Sequence, residues 1–140
     1  ALIERTPFTV LEDNVVQVGD QLQIVGLDYP GFGSERTQGD VLGQLSLRDD
    51  LFTLLLSHSP MDFSQWAHYP IDLQLAGHTH AGQIIPFNLL VRMRYRLLSG
   101  LYREGGKATY VSPGTGTWGP PLRLGTRNEV TCIKLCTARG

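Results

Sequence analysis

"LFTLLLSHSPMDFSQWAHYPIDLQLAGHTH", residues 51–80, decides the fold. Its first part, Leu51 to Ser57, is a continuous apolar run, the pattern of a strand buried on both faces. Ser59 then reads as an N-cap and Pro60 as a first helical residue. Phe63, Trp66 and Ala67 share the i, i+3, i+4 face of a short helix. "IDLQLA" (71–76) is the next strand, with Ile71, Leu73 and Leu75 on one side, and it ends at Gly77. Strand, helix, strand predicts a βαβ unit with parallel strands, so the chain is expected in the α/β class.

That unit places three histidines. His58 follows the first strand; His78 and His80 follow the second. In open α/β sheets ligands bind beyond the carboxyl ends of the strands, so neighbouring strands deliver three imidazoles to one rim. Neutral imidazole is the commonest metal ligand near neutral pH, and the small residues Gly77 and Ala81 let the backbone turn sharply. His58, His78 and His80 are therefore the predicted metal ligands. Any one of them alone reads as a hydrogen-bonded surface histidine; the three together carry the inference. Taken by themselves they suit a single divalent ion such as zinc. His68, near a helix end without a histidine partner, is expected to face solvent. No HExxH and no GxSxG occurs. Ser57 and Ser59 flank His58 in sequence but sit on opposite sides of a strand, which argues against a serine hydrolase.

Outward from this unit, residues 8–27 read as β-rich, with short runs at Phe8 and Val10, at Val15–Val18 and at Leu22–Leu27, and "YPGFG" (29–33) as a loop beyond them. Val41, Leu42 and Leu45 hint at a helix. "GLYREGGKATYVSPG" reads as a hairpin turning at Gly105-Gly106, "GTGTWGPPLRLG" as a long loop, and "EVTCIKLC" as a closing strand with apolar residues on both faces. The loop lacks the lysine of a phosphate-binding P-loop, so a plain turn is the simpler reading. Arg123 and Arg127 are candidates for meeting a substrate phosphate through a guanidinium fork. Asn88 and Trp118 are candidate neighbours of the site, and Asp28 is expected to cap a loop. On a strand, Cys132 and Cys136 would lie about 13 Å apart, beyond the ~7 Å of a disulfide; they are expected to be reduced core or edge residues.

Composition sets the outer bounds. At 140 residues, with 41% hydrophobic and 18% charged residues, the chain suits a single globular domain. A formal net charge of −1 without a long basic run offers no steering toward nucleic acid. The longest apolar run is too short to span a bilayer.

With these motifs in view the chain resembles a known family. "LLLSHSP", "DLQLAGHTHAGQIIPFN" and "YVSPGTGTWGPPLRLGTRNEVTCIKL" resemble the C-terminal half of calcineurin-like metallophosphoesterases, in particular bacterial membrane-associated phosphodiesterases with "GHTHGGQ" and a similar Gly/Trp/Pro-rich ending. The similarity runs from about Leu22 to Leu135. It implies an α/β/β/α sandwich and two divalent ions (Mn, Fe or Zn), with His58 and His78 on one ion and His80 on the other. It further implies a metal-bridging hydroxide that attacks the phosphorus of a phosphoester substrate. It also implies a place in the cytoplasm or at the periphery of the bacterial cytoplasmic membrane. The family's earlier ligand motifs, Asp-x-His, Gly-Asp and Gly-Asn-His-Glu, have no counterpart here: Gly19-Asp20 and Asn14 lack the flanking residues. Those ligands are expected on an N-terminal half outside residues 1–140. The 140 residues by themselves are then expected to be inactive, with exposed strands open to oligomerisation. The alternative is a non-catalytic module holding one divalent ion through three histidines. Ala81 stands where the family has Gly, a change expected to be tolerated at negative φ.

Overall fold

The computed structural model describes residues 7–31 and 37–136; the loop expected at 29–33 lies partly outside them. The chain builds a mixed α/β fold around one six-stranded, mostly parallel sheet. Its strands are β1 (Asn14–Val18), β2 (Leu22–Gly26), β3 (Phe52–Ser57), β4 (Leu73–Ala76), β5 (Gly100–Glu104) and β6 (Lys107–Val111), in the spatial order β1-β2-β3-β4-β6-β5. The central pairs β2–β3, β3–β4 and β4–β6 are parallel, and antiparallel partners, β1 and β5, close the two edges. The β5–β6 hairpin turns at Gly105-Gly106, both at positive φ (57° and 83°), as a two-residue turn matched to strand twist requires.

One face of the sheet is sealed. Helix α1 (Gln38–Leu42) starts in a capping box, Thr37 Oγ1 accepting from Asp40 N at 3.1 Å. Helix α2 (Phe63–Trp66) joins β3 to β4, completing the expected parallel βαβ unit. It begins later than the sequence suggests. Asp62 is the N-cap, with Gln65 Oε1 accepting from Asp62 N at 2.9 Å; Ser59 instead uses its carbonyl to accept from Ser57 Oγ. Val41, Leu42, Met61, Phe63, Trp66 and Ile71 pack with Val25 and Leu55 of the sheet as the core.

A row of buried polar residues crosses that sealed face. Gln23 on β2 and Thr53 on β3 are register partners, joined at 2.7 Å. Gln74 on β4 and Thr109 on β6 are likewise partners, 3.1 Å apart. With its oxygen toward Ser57 Oγ, the Gln74 amide also accepts from Met61 N (3.0 Å) and donates to Met61 O (3.2 Å). Satisfied buried amides specify structure; an unsatisfied one costs about 1–3 kcal/mol.

The opposite face is not sealed. Phe52 and Leu56 on β3 are each 37% exposed, correcting the expectation that this strand is buried on both sides. Its apolar run is real, but among the described residues Leu11, laid against Gly26, is a sparse cover. Three further expectations are overturned. Phe8 and Val10 are exposed and form no strand. Residues 127–136 form no strand either: they pair with no strand of the sheet, and β-prone residues become a strand only with a ladder partner. Cys132 and Cys136 accordingly are free but exposed, not core. Residues 87–94, to which no element is assigned from the sequence, are helix α3 (Phe87–Arg94).

Candidate metal centre

β3 and β4 run in register, Ser57 beside Ala76, so the residues that leave them emerge at one level. Gly77 N donates to His58 O at 3.1 Å, zipping the two exits together. Beyond this point the backbone reverses abruptly. His78, His80, Ala81, Gly82 and Gln83 all have positive φ, between 49° and 76°. Left-handed φ at a residue with a Cβ costs roughly 1–2 kcal/mol, and such strain clusters at functional sites. Gly82 has no alternative: a Cβ there would collide with Cα and Cβ of Asn88. Ala81, at φ 54°, sits in the left-handed region, so the condition for tolerating its methyl group, a negative φ, is not met and the residue is strained. Ala81→Gly should therefore raise stability by about 0.5–1 kcal/mol, the strain relieved exceeding the entropy glycine adds to the unfolded chain; a urea melt showing a lower midpoint would contradict this.

The turn aims His78 at His58. His78 Nδ1 lies 2.7 Å from His58 Nε2, and His78 Nε2 lies 2.9 Å from Tyr95 Oη. With its proton on Nε2, His78 donates to Tyr95 and presents its Nδ1 lone pair to the space shared with His58. A second group that fixes a tautomer in this way is typical of ligating histidines. Two nitrogens bound to one ion at 2.0–2.1 Å stand about 3–3.4 Å apart, so a small outward rotation of either ring would admit a metal. Burial, then the nearby His58, His80 and Arg94 charges, hold the His78 pKa below its usual value. Burial and then Arg123 do the same for His80. Both imidazoles are thereby biased to the neutral form, and the facing nitrogens of His58 and His78 have the donor chemistry for a divalent cation.

His80 points elsewhere. Its Nδ1 lies 3.4 Å from Arg123 Nη2. Among the described residues no three His, Cys, Asp or Glu side chains form a group able to hold one metal. Arg123 itself donates to the carbonyls of Pro113 (2.7 Å) and Gly116 (2.6 Å), and to His80 O (3.3 Å). Its fork thus ties the Gly-rich loop to the histidine turn. Arg127 is exposed nearby and lends its carbonyl to Arg123. A residue the sequence reading passed over, Gln83, makes the second tie. Buried at 5% exposure, its side chain accepts from Trp118 N and donates to Trp118 O at 2.8 Å. Its place at the end of "GHTHAGQ" was the available signal. Asn88 packs on Gly82, its Oδ1 buried without a hydrogen-bond partner among the described residues. Trp118 is 65% exposed on the loop beside it. Asp28 accepts from Tyr29 N at 2.8 Å, the expected local cap, and His68 is exposed.

A parallel sheet whose carboxyl rim brings imidazoles together has the arrangement in which α/β proteins bind their ligands. Comparison with known proteins narrows this. A Helicobacter pylori (strain J99) protein named a metallophosphoesterase is 39% identical over 140 residues, 96% of this chain. A Bacillus subtilis metallophosphoesterase is 36% identical over 84% of it. A zebrafish (Danio rerio) transmembrane protein with a metallophosphoesterase domain is 35% identical over 89% of it. The chain belongs to the metallophosphoesterases, the calcineurin-like family its motifs resemble. It spans 37%, 41% and 28% of those three relatives' lengths, respectively. No family model and no solved structure matches it.

Proposed function

We propose that these 140 residues form the histidine wall of a two-metal phosphoester hydrolase. The observation that carries the reading is the 2.7 Å convergence of His58 and His78 at the carboxyl rim, with His80 two residues on, in a chain of the metallophosphoesterase family. His58 and His78 would hold one divalent ion and His80 the other. Such ions, when bound, supply Lewis acidity toward the phosphoryl oxygens and an activated water. The chain's own residues orient them: Tyr95 holds the His78 ring, and Arg123 and Gln83 fix the loop that faces His80. With the Arg123 fork given over to backbone carbonyls, Arg127 is the arginine left to meet the substrate.

The remaining ligands are proposed to lie on a segment of the protein outside residues 1–140, packed against the unsealed sheet face as the second sheet of the sandwich. A single-ion, three-histidine module is the weaker reading, because His80 faces Arg123 and not the His58–His78 pair. The test is hydrolysis of an aryl phosphodiester by the protein expressed from its whole reading frame. Turnover should need added Mn²⁺, Fe²⁺ or Zn²⁺, vanish with a chelator and return with metal. Turnover indifferent to chelation, or none with any of the three metals, would overturn the proposal.

A further inference from the structure

Helix α3 is built inside out. Asn88 and Val91 are half-buried, and no residue of the helix is fully buried. Leu89, Leu90 and Met93 face solvent at 60%, 59% and 84% exposure, with Phe87 at 45%. At 3.6 residues per turn these four fall within an arc of about 160°. Ile85, half-exposed just before the helix, extends it, as does Trp118, stacked on Phe87 at 6.3 Å. Scattered exposed leucines are ordinary; a contiguous stripe marks an interaction surface.

The charge around the stripe is one-signed. Between Asp72 and Glu104 no acidic residue occurs, while Arg92, Arg94, Arg96 and Arg103 do, in a chain whose net charge is −1. A short surface helix with an apolar face and arginines in its last turn is what the interface of an anionic bilayer recognises: the apolar side chains enter the headgroup boundary and the guanidinium groups meet lipid phosphates. A second copy docked two-fold on the same stripe would set arginines against their own equivalents, which disfavours that occupant. We propose that α3, with Ile85 and Trp118, is a peripheral docking surface for an anionic membrane. The helix is eight residues long, so it lies in the interface and does not cross it. Tyr95, the residue after it, contacts His78, and the bilayer surface would lie beside the histidine pair.

The experiment is co-sedimentation of the protein, expressed from its whole reading frame, with vesicles of phosphatidylcholine alone or with about one-quarter phosphatidylglycerol. Binding to the anionic vesicles should be at least about tenfold tighter and should weaken in high salt. Leu89→Ser with Met93→Ser should weaken it by about tenfold or more. Arg92→Gln, Arg94→Gln and Arg96→Gln together should erase the preference for phosphatidylglycerol. These positions are exposed, and unchanged thermal melts would verify folding. No sedimentation with either vesicle overturns the proposal, and so does binding that both sets of variants leave intact. Wild-type protein that ignores vesicles but dissociates from a dimer when the leucine and methionine are replaced would assign the stripe to a second copy and overturn it too. None of these readouts involves turnover, so the hydrolase reading stands or falls separately.

Discussion

Replacing His78 by asparagine should lower metal-dependent phosphoester hydrolysis by about a thousandfold or more. An activated water and a Lewis acid at phosphorus are worth several kcal/mol, and each 1.36 kcal/mol is tenfold in rate. Asparagine is chosen over alanine for a conformational reason. His78 has φ 67°, and asparagine is among the few residues that visit this region readily. The variant therefore keeps the turn and loses the imidazole. The thermal midpoint should stay close to wild type while bound metal, counted by atomic emission after desalting, falls. His58→Ala should behave alike, since the two rings share one space. Near-normal turnover in both variants would sink the two-metal proposal.

The second large effect is on stability. Trp66→Ala should cost about 3–5 kcal/mol, the range for deleting a buried indole and leaving a cavity. Trp66 is fully buried, its ring 5.2 Å from that of Phe63, with Lys107 Nζ 5.8 Å from its centre. Lys107 also donates to the carbonyls of Tyr69 and Ile71 at 2.7 Å, so the tryptophan sits under the strap that joins α2 to β4. A domain typically has 5–15 kcal/mol in all, and a fall in melting temperature on the order of 10 °C or more is expected. Trp66→Phe should cost less, because the indole Nε1 has no hydrogen-bond partner among the described residues. His68→Ala, two residues on and exposed, should stay within about 0.5 kcal/mol of wild type. Equal losses at 66 and 68 would contradict this account of the core.

What could be read from the sequence follows a physical line. The β3–α2–β4 unit, the Gly105-Gly106 hairpin and the histidines at the strand exits rest on local periodicity, chain reversal and the ends of apolar runs, and the structure has them. Helix α3 was not legible, because a helix whose apolar stripe faces outward lacks the polar surface that frames an ordinary amphipathic pattern. The segment "EVTCIKLC" misled for the converse reason: its residues suit a strand, but a strand is made by a neighbour that local sequence does not name. At the site, three histidines on one rim were foreseeable. That two of them meet while the third turns to Arg123 depends on five positive φ values in a row of six residues, which residue types alone did not disclose. The unsealed face of β3 is a similar case. The apolar run suits burial on both faces, and residue types alone did not disclose that Phe52 and Leu56 stay partly exposed.

The polar row under the sheet has a consequence far from where it sits. Gln23 meets Thr53, and Gln74 meets Thr109, only in the observed alignment of the strands. A slip of one residue would move each side chain to the other face and leave buried amides and hydroxyls unanswered. Leucines would tolerate such an error better, since one apolar contact resembles another. Gln74 also reaches across from β4 to Ser57 Oγ on β3, 2.8 Å away, and His58 lies one residue beyond Ser57 and His78 four beyond Gln74, so an offset between these two strands would arrive undiminished at the rim. One residue is about 3.3 Å, more than the whole 2.7 Å between the imidazole nitrogens. The amides thus act as a gauge of strand alignment, set by the protein's own side chains.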